Sequence, residues 1–84
     1  MRNQDLAKAF GLILQKRRKG KRVSQELLAE KADVASNMIS LIERFERNPS
    51  INLADSLAQA LDVPLWQMIK EAENLRSKHR PKRN

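Results

Sequence analysis

Four outward-facing side chains on one predicted helix have the chemistry to contact the edges of DNA bases. At helical spacing, Ile39 and Ile42 face inward. The outward positions of the same helix are held by Ser36, Asn37, Ser40 and Leu41. Short, mostly uncharged side chains suit a DNA groove, where an Asn amide pairs with adenine and a Leu packs on a thymine methyl. We therefore predict that these four residues read bases. Alternatively, Asn37 is only a helix-start residue and Leu41 only an exposed leucine.

Positive charge is concentrated in two clusters of this 84-residue chain, whose formal net charge is +7. Residues 16–22 contain six Lys or Arg residues and no acid, and residues 76–84 contain five. The segment between them carries nine acids against four bases. A polyanion is the natural partner of such clusters. Contacts with the phosphate backbone are therefore predicted for Lys16, Arg17, Lys19, Lys21 and Arg22. The alternative is a solvated face and a solubilising tail.

The composition argues against an enzyme. There is no cysteine, which excludes a disulfide, a thiolate zinc site and a cysteine nucleophile. The single histidine, His79, lies in the basic tail, away from any paired carboxylates. No apolar run approaches the roughly 18 residues of a membrane span, and the polar N-terminus does not resemble a signal peptide. We therefore expect no cofactor, no metal, no small-molecule effector and no membrane association, and a location in the cytoplasm at the nucleoid.

Apolar residues at helical spacing predict five short helices. Their approximate ranges are 4–19, 25–31, 36–44, 53–61 and 64–75. No single short helix is stable alone, so all five apolar stripes must share one core. Residues 1–75 are therefore predicted to form an all-α, five-helix bundle, and residues 76–84 a disordered basic tail.

Helix starts are marked by polar residues that cap backbone N–H groups. Ser24 is predicted to cap the second helix, and Asn52, with Asp55 three residues later, the fourth. The third helix would follow Ala35, which is a poor N-cap, and Pro64 opens the fifth at a position that tolerates proline.

A longer series of residues, taken in order and spacing, resembles one known family. The matching residues are Phe10-Gly11, Leu14, Arg18, Ser24-Gln25-Glu26, Leu28-Ala29, Val34, residues 39–44, residues 47–51, Leu57-Ala58 and residues 61–64. Together they resemble the lambda-repressor-like helix-turn-helix family, which includes phage repressors and Cro proteins. The resemblance covers roughly residues 6–70.

This resemblance implies that helices two and three form the DNA-reading unit, with helix three in the major groove. It also implies that Gln25 contacts a phosphate and braces the reading helix, and that Arg47 and Asn48 contact phosphate from the following loop. Arg18 and Glu43 match a buried ion pair of family members, whose role is structural because losing one partner strands the other charge.

The chain departs from the family pattern at several positions. Asp33 stands where the turn usually has Gly, and Asp tolerates left-handed backbone geometry. Phe45 stands where Gly often follows helix three. Because Phe does not easily adopt a positive φ, we expect helix three to end differently. Leu12 and Leu27 replace polar residues, which suggests a contact surface.

A single reading helix covers only a few base pairs, so a two-fold homodimer is expected. The apolar residues of helix five are predicted to have two different roles, and Leu65 and Ile69 are expected to lie in the core. The predicted dimer interface comprises Trp66, Met68, Ala72 and Leu75; simple core packing is the alternative. The sequence thus predicts a transcriptional regulator, a dimeric repressor that reads an inverted repeat in double-stranded DNA. The alternatives are an antitoxin-type autoregulator, a protein-interaction module and a nonspecific DNA-coating protein.

Overall fold

Five α-helices make up the part of the chain that the computed structural model describes, residues 3–78. They are α1 (Asn3–Gly20), α2 (Gln25–Ala32), α3 (Ser36–Glu43), α4 (Ile51–Ala60) and α5 (Leu65–Lys78). No strand occurs among these residues, and the predicted all-α bundle is confirmed. Helix α5 continues three residues beyond the predicted end of the folded domain. The remaining tail prediction, for residues 79–84 with His79, lies outside the described residues.

The helix starts differ from prediction at α4. The Ser24 hydroxyl accepts a hydrogen bond from the Leu27 N–H at 3.0 Å and caps α2, as predicted. The predicted cap at Asn52 is wrong, because Ser50 accepts from the Leu53 N–H at 3.0 Å and α4 begins two residues earlier. Ser50 has the extended backbone geometry that a cap requires, with φ −66° and ψ 164°.

The core lies where α1 packs against α3 and α5, and α2 packs against α3 and α4. Met68 and Ala72 are completely buried, so their predicted place in a dimer interface is wrong. They lie at the centre of the apolar face that α5 turns toward the core, whereas Leu65 and Ile69, predicted to be in the core, are half-buried at its edges. The error arises because one apolar stripe does not distinguish core from interface.

Helices α1 and α3 approach each other closely at Gly11. A Cβ atom at this position would lie 2.6 Å from the backbone carbonyl oxygen of Ile42. Glycine therefore has a packing role here, and this contact sets the distance between α1 and the end of α3.

Four helices end with a non-glycine residue in the left-handed region, namely Arg22, Asp33, Phe45 and Asp62, with φ between 58° and 65°. Asp33 behaves as predicted. The expectation that Phe45 avoids positive φ is wrong, since its φ is 65°. Two backbone hydrogen bonds hold it there: the Phe45 N–H donates to the Ile42 carbonyl at 3.1 Å, and the Glu46 N–H to the Leu41 carbonyl at 2.8 Å. This pair of bonds is the Schellman motif that terminates many helices.

Candidate nucleic-acid interface

Helices α2 and α3 are joined by a three-residue turn and packed through small and branched side chains. Ala29 and Ile39 are buried between the helices, and Val34 packs half-buried against the core directly after the turn. The Val34 N–H donates to the Ala29 carbonyl at 2.9 Å, which closes α2. The starts of the two helices line one groove and so face the same side of the molecule.

A polar groove of about 470 Å³ opens where α2 and α3 begin. It is lined by Arg18, Ser24, Gln25, Glu26, Ser36, Asn37 and Ser40. Three of the four predicted base-reading residues thus meet the predicted phosphate contact of α2 in one groove. Ser36 and Asn37 are exposed and Ser40 is half-buried. Leu41 is half-buried on α3 outside this groove.

Arg18 and Glu43 form a bidentate ion pair beneath the groove. Arg18 Nε lies 2.7 Å from Glu43 Oε2 and Arg18 Nη2 lies 3.0 Å from Glu43 Oε1. Both residues are less than a tenth exposed. A third bond, from Arg18 Nη1 to the Val23 carbonyl at 2.8 Å, ties the pair to the segment before α2. Hydrogen bonding to Glu43 raises the pKa of Arg18 against the opposing effect of burial.

The same carboxylate holds Gln25. Its Nε2 donates to Glu43 Oε1 at 3.0 Å, and Gln15 Nε2 reaches the same oxygen at 3.5 Å. The first residue of α2 is thereby fixed against the last residue of α3, while α1 anchors both. This bracing fits the role that the family resemblance implied for Gln25, and it fixes the direction in which the amide faces the groove.

The basic cluster of residues 16–22 is partly neutralised within the molecule. Arg17 forms a bidentate ion pair with Glu71 of α5, with its Nε 3.0 Å from Glu71 Oε1. This hydrogen bonding lowers the pKa of Glu71 and raises that of Arg17. Lys21 Nζ lies 3.7 Å from Asp62 Oδ2. The guanidinium of Arg17 ties α1 to α5 through its Nε and Nη2. The phosphate contact predicted for Arg17 stays a prediction.

Three cations of the cluster face solvent. Lys16, Lys19 and Arg22 are exposed and form no salt bridge with any residue that the structure describes. These three are the members of the cluster that can reach an external phosphate at no cost to an internal pair.

The loop after α3 presents a second basic surface. Arg47 and Asn48 are exposed, and with Lys8, Phe45 and Glu46 they line a groove of about 270 Å³. Lys8 was not predicted to be part of a site. Its position on α1 gave no sign that the loop 37 residues later packs beside it.

Comparisons with known proteins define the family. The model of a helix-turn-helix family matches residues 14–65. The chain belongs to this helix-turn-helix family. It is 38% identical over 65 residues to the HTH-type transcriptional regulator SinR of Bacillus licheniformis, covering 76% of this chain and 59% of that protein. The chain thus spans about three fifths of the length of that relative.

Solved structures agree with this helix-turn-helix assignment. The clp gene regulator ClgR of Corynebacterium glutamicum superposes with a TM-score of 0.82 at 29% identity, over 87% of this chain and 78% of that one. The restriction-modification controller protein C.AhdI of Aeromonas hydrophila gives 0.71 at 32% identity, over 74% and 94%. A point mutant of C.Esp1396I, bound to its highest affinity operator site, gives 0.73 at 30% identity, over 82% and 96%. Proteins of this family are DNA-binding transcriptional regulators and not enzymes.

Neither a candidate metal site nor a candidate membrane span is found within residues 3–78. No group of three or more His, Asp or Glu side chains within residues 3–78 could hold a metal ion. No helix in the described part of the chain is long and apolar enough to cross a membrane.

Five large apolar side chains are exposed in the part of the chain that the structure describes. Leu12, Leu27 and Phe45 are each a little over two fifths exposed, as the family departures suggested for the two leucines. Ile51 is 77% exposed and Trp66 is 66% exposed. Ile51 was missed in the sequence because α4 was expected to begin at Leu53, which left Ile51 in a loop.

Proposed function

We propose that this helix-turn-helix protein binds double-stranded DNA at specific sites and regulates transcription. The observation that supports this most is the shared groove of Gln25, Ser36, Asn37 and Ser40, which groups short hydrogen-bonding side chains at the starts of α2 and α3. Helix α3 enters the major groove, and the first turn of α2 meets the sugar–phosphate backbone. The five-helix bundle is the DNA-binding unit, acting at cytoplasmic nucleoid DNA.

Base readout in this proposal depends on few groups. Asn37 is exposed and uncharged, and its amide can form two hydrogen bonds with an adenine. The four outward positions of α3 carry no Arg, Lys or Gln. Phosphate contacts from Lys16, Lys19 and Arg22, together with the shape of the DNA, therefore supply much of the affinity.

Phosphate contacts also come from the first turn of α2 and the loop after α3. Gln25 has one amide hydrogen left for a phosphate after its bond to Glu43. Arg47 and Asn48 are exposed in the loop and reach the backbone on the far side of α3. These contacts position the protein, whereas the bases determine the sequence it prefers.

The proposed regulator is a homodimeric repressor that reads an inverted repeat. A two-fold dimer presents two α3 helices to half-sites about one helical turn apart, which doubles the contacts. The operator-bound structure of C.Esp1396I, a relative at 30% identity, supports duplex DNA as the ligand.

Selection of the purified protein on random duplex DNA at near-physiological salt tests this proposal. We expect an enriched inverted repeat, and Asn37→Ala should relax one position in each half-site. Glu30→Ala is the control, because Glu30 is exposed on α2 and does not line the groove; it should leave the preference unchanged. Retention of DNA without enrichment would mean nonspecific binding, and no retention would overturn the proposal.

A protein-interaction module is the second candidate, favoured by exposed Leu12, Leu27 and Phe45. The double substitution Lys19→Glu and Arg22→Glu separates the two, because neither residue forms a salt bridge within the described part of the chain. If the protein is a DNA-binding regulator, the double variant should lose its affinity for duplex DNA. If it is an interaction module, the double variant should bind its protein partner as the wild type does.

A further inference from the structure

An aromatic residue stands where the backbone conformation favours glycine. Phe45 has a φ of 65°. This left-handed geometry brings its Cβ close to the following carbonyl oxygen, a conformational cost that Gly would not incur. The hydrogen bonds that end α3 here are backbone bonds and are equally available to Gly. Strained residues of this kind cluster at binding sites. Whatever Phe45 contributes in exchange for this strain thus comes from its ring.

The ring of Phe45 lies against α1, beside the loop that follows α3. Its Cδ1 is 3.6 Å from the position that a Cβ atom on Gly11 would take, and 44% of the residue remains exposed. Lys8 precedes Gly11 by three residues and therefore lies on the same side of α1. Lys8 and Phe45 both line the groove of about 270 Å³ beside this loop, which we call the loop groove.

Two cations of the loop groove have no acidic partner within residues 3–78. Lys8 and Arg47 are exposed and form no salt bridge with any of these residues. The one acid that lines the groove, Glu46, has its Oε2 3.6 Å from Arg44 Nε, which offsets its charge. An exposed apolar ring beside two unpaired cations has the chemistry to contact a DNA backbone, in which each deoxyribose lies between two phosphates.

We propose that the loop groove binds one step of the sugar–phosphate backbone, with Phe45 packed on a deoxyribose and Lys8 and Arg47 on the phosphates beside it. The proposal rests on the proposed function and adds Lys8 and Phe45 to its DNA contacts. Helix α3 has eight residues and is about 12 Å long, close to the width of the major groove. The loop groove at its end therefore meets the backbone across the groove from the one that Gln25 contacts.

The charge contribution is tested by measuring affinity at several salt concentrations, for the selected inverted repeat and for a scrambled duplex. Lys8→Gln should reduce the magnitude of the slope of log affinity against log salt by about 1. It should weaken binding to both duplexes equally, because a backbone contact carries no sequence information. Lys31→Gln is the matched control and should keep the wild-type slope. Lys31 is exposed at the end of α2, lines neither DNA-facing groove and forms no salt bridge within the described residues.

The contribution of the ring is tested by Phe45→Gly. Gly suits the left-handed backbone, so α3 should end as in the wild type, and thermal unfolding checks that the variant is folded at the temperature of the binding assay. Its affinity for both duplexes should fall roughly fivefold because an apolar contact is lost, while the salt slope stays unchanged. Phe45→Tyr keeps the ring and should bind as the wild type does. If Phe45→Gly is unfolded, Phe45→Asn takes its place.

The proposal is overturned if Lys8→Gln keeps the wild-type salt slope, or if the folded Phe45 variant without a ring keeps the wild-type affinity. A loss of affinity confined to the selected duplex would also overturn it, because that result would indicate base readout. In these cases the proposed function stands as long as the wild type still prefers the inverted repeat. If the wild type binds neither duplex, the proposed function fails and this backbone contact fails with it.

Discussion

Gly11→Ala is expected to destabilise the bundle although it improves helix propensity. The added Cβ would lie 2.6 Å from the Ile42 carbonyl oxygen, a backbone atom that cannot rotate away. Helices α1 and α3 must separate, and overpacking of this kind costs about 3 kcal/mol at the upper end of its usual range. Replacing a mid-helix Gly by Ala returns about 1 kcal/mol. The net loss of about 2 kcal/mol corresponds to a fall in Tm of roughly 10 °C for a domain of this size.

Urea and thermal unfolding of the wild type, Gly11→Ala and Gly20→Ala measure this loss of stability. Gly20→Ala is the matched control, because Gly20 ends α1 with nothing within 4 Å of the added Cβ and without a positive φ. It should match or slightly exceed the wild type. If Gly11→Ala were as stable as Gly20→Ala, the close approach of α1 and α3 would not be the reason for glycine at position 11.

Three further substitutions test other parts of the structure. Glu71→Gln should lower the free energy of unfolding by about 0.5 kcal/mol at neutral pH, since its ion pair with Arg17 is partly exposed. Because Arg17 lowers the pKa of Glu71, the difference from the wild type should vanish as the pH falls through that lowered pKa. Urea unfolding across the acid range measures this, and a difference that persisted at low pH would contradict the pairing. Glu43→Gln leaves Arg18 buried without a counter-charge and should cost roughly 3–5 kcal/mol in the same assay, and a loss below 1 kcal/mol would mean that the pair is dispensable. Arg22→Gly relieves a left-handed backbone and should add about 1 kcal/mol to the free energy of unfolding. The slope of log affinity for DNA against log salt should fall by about 1 in magnitude, and a slope equal to that of the wild type would exclude a phosphate contact by Arg22.

Local patterns predicted the helices well, because each helix has apolar residues repeated at the helical period, and the sequence alone shows that period. Leu14, Leu28 and Leu57 each belong to such a stripe. The Ser24 cap was predictable from its residue type and place, because a Ser directly before a helical stripe can accept a hydrogen bond from a free backbone N–H. Competing local signals misled the prediction of α4, where Asn52 and Asp55 imitate a capping pattern but Ser50 supplies the hydrogen bond.

Tertiary partners account for what the sequence could not predict. Arg17 reads as one cation among six, and its partner Glu71 lies 54 residues away. In the sequence Met68 and Ala72 look like any other residues of an apolar seam, and only the fold shows that both are completely buried. Phe45 adopts a left-handed backbone conformation because two backbone hydrogen bonds hold the chain in that conformation. The family resemblance implied that Gln25 braces α3. That it does so by donating to the Glu43 carboxylate could not be predicted, because only the fold brings these two side chains together.

The ratio of two dissociation constants tests the central claim most directly. Binding of the wild-type chain to the selected inverted repeat and to a scrambled duplex of the same composition should be measured at one near-physiological salt concentration. A sequence-reading regulator should bind the selected duplex about 1,000-fold or more tightly, and Asn37→Ala should reduce that ratio while its affinity for the scrambled duplex stays unchanged. A ratio near one would contradict the account and leave a protein that binds DNA only through its charge.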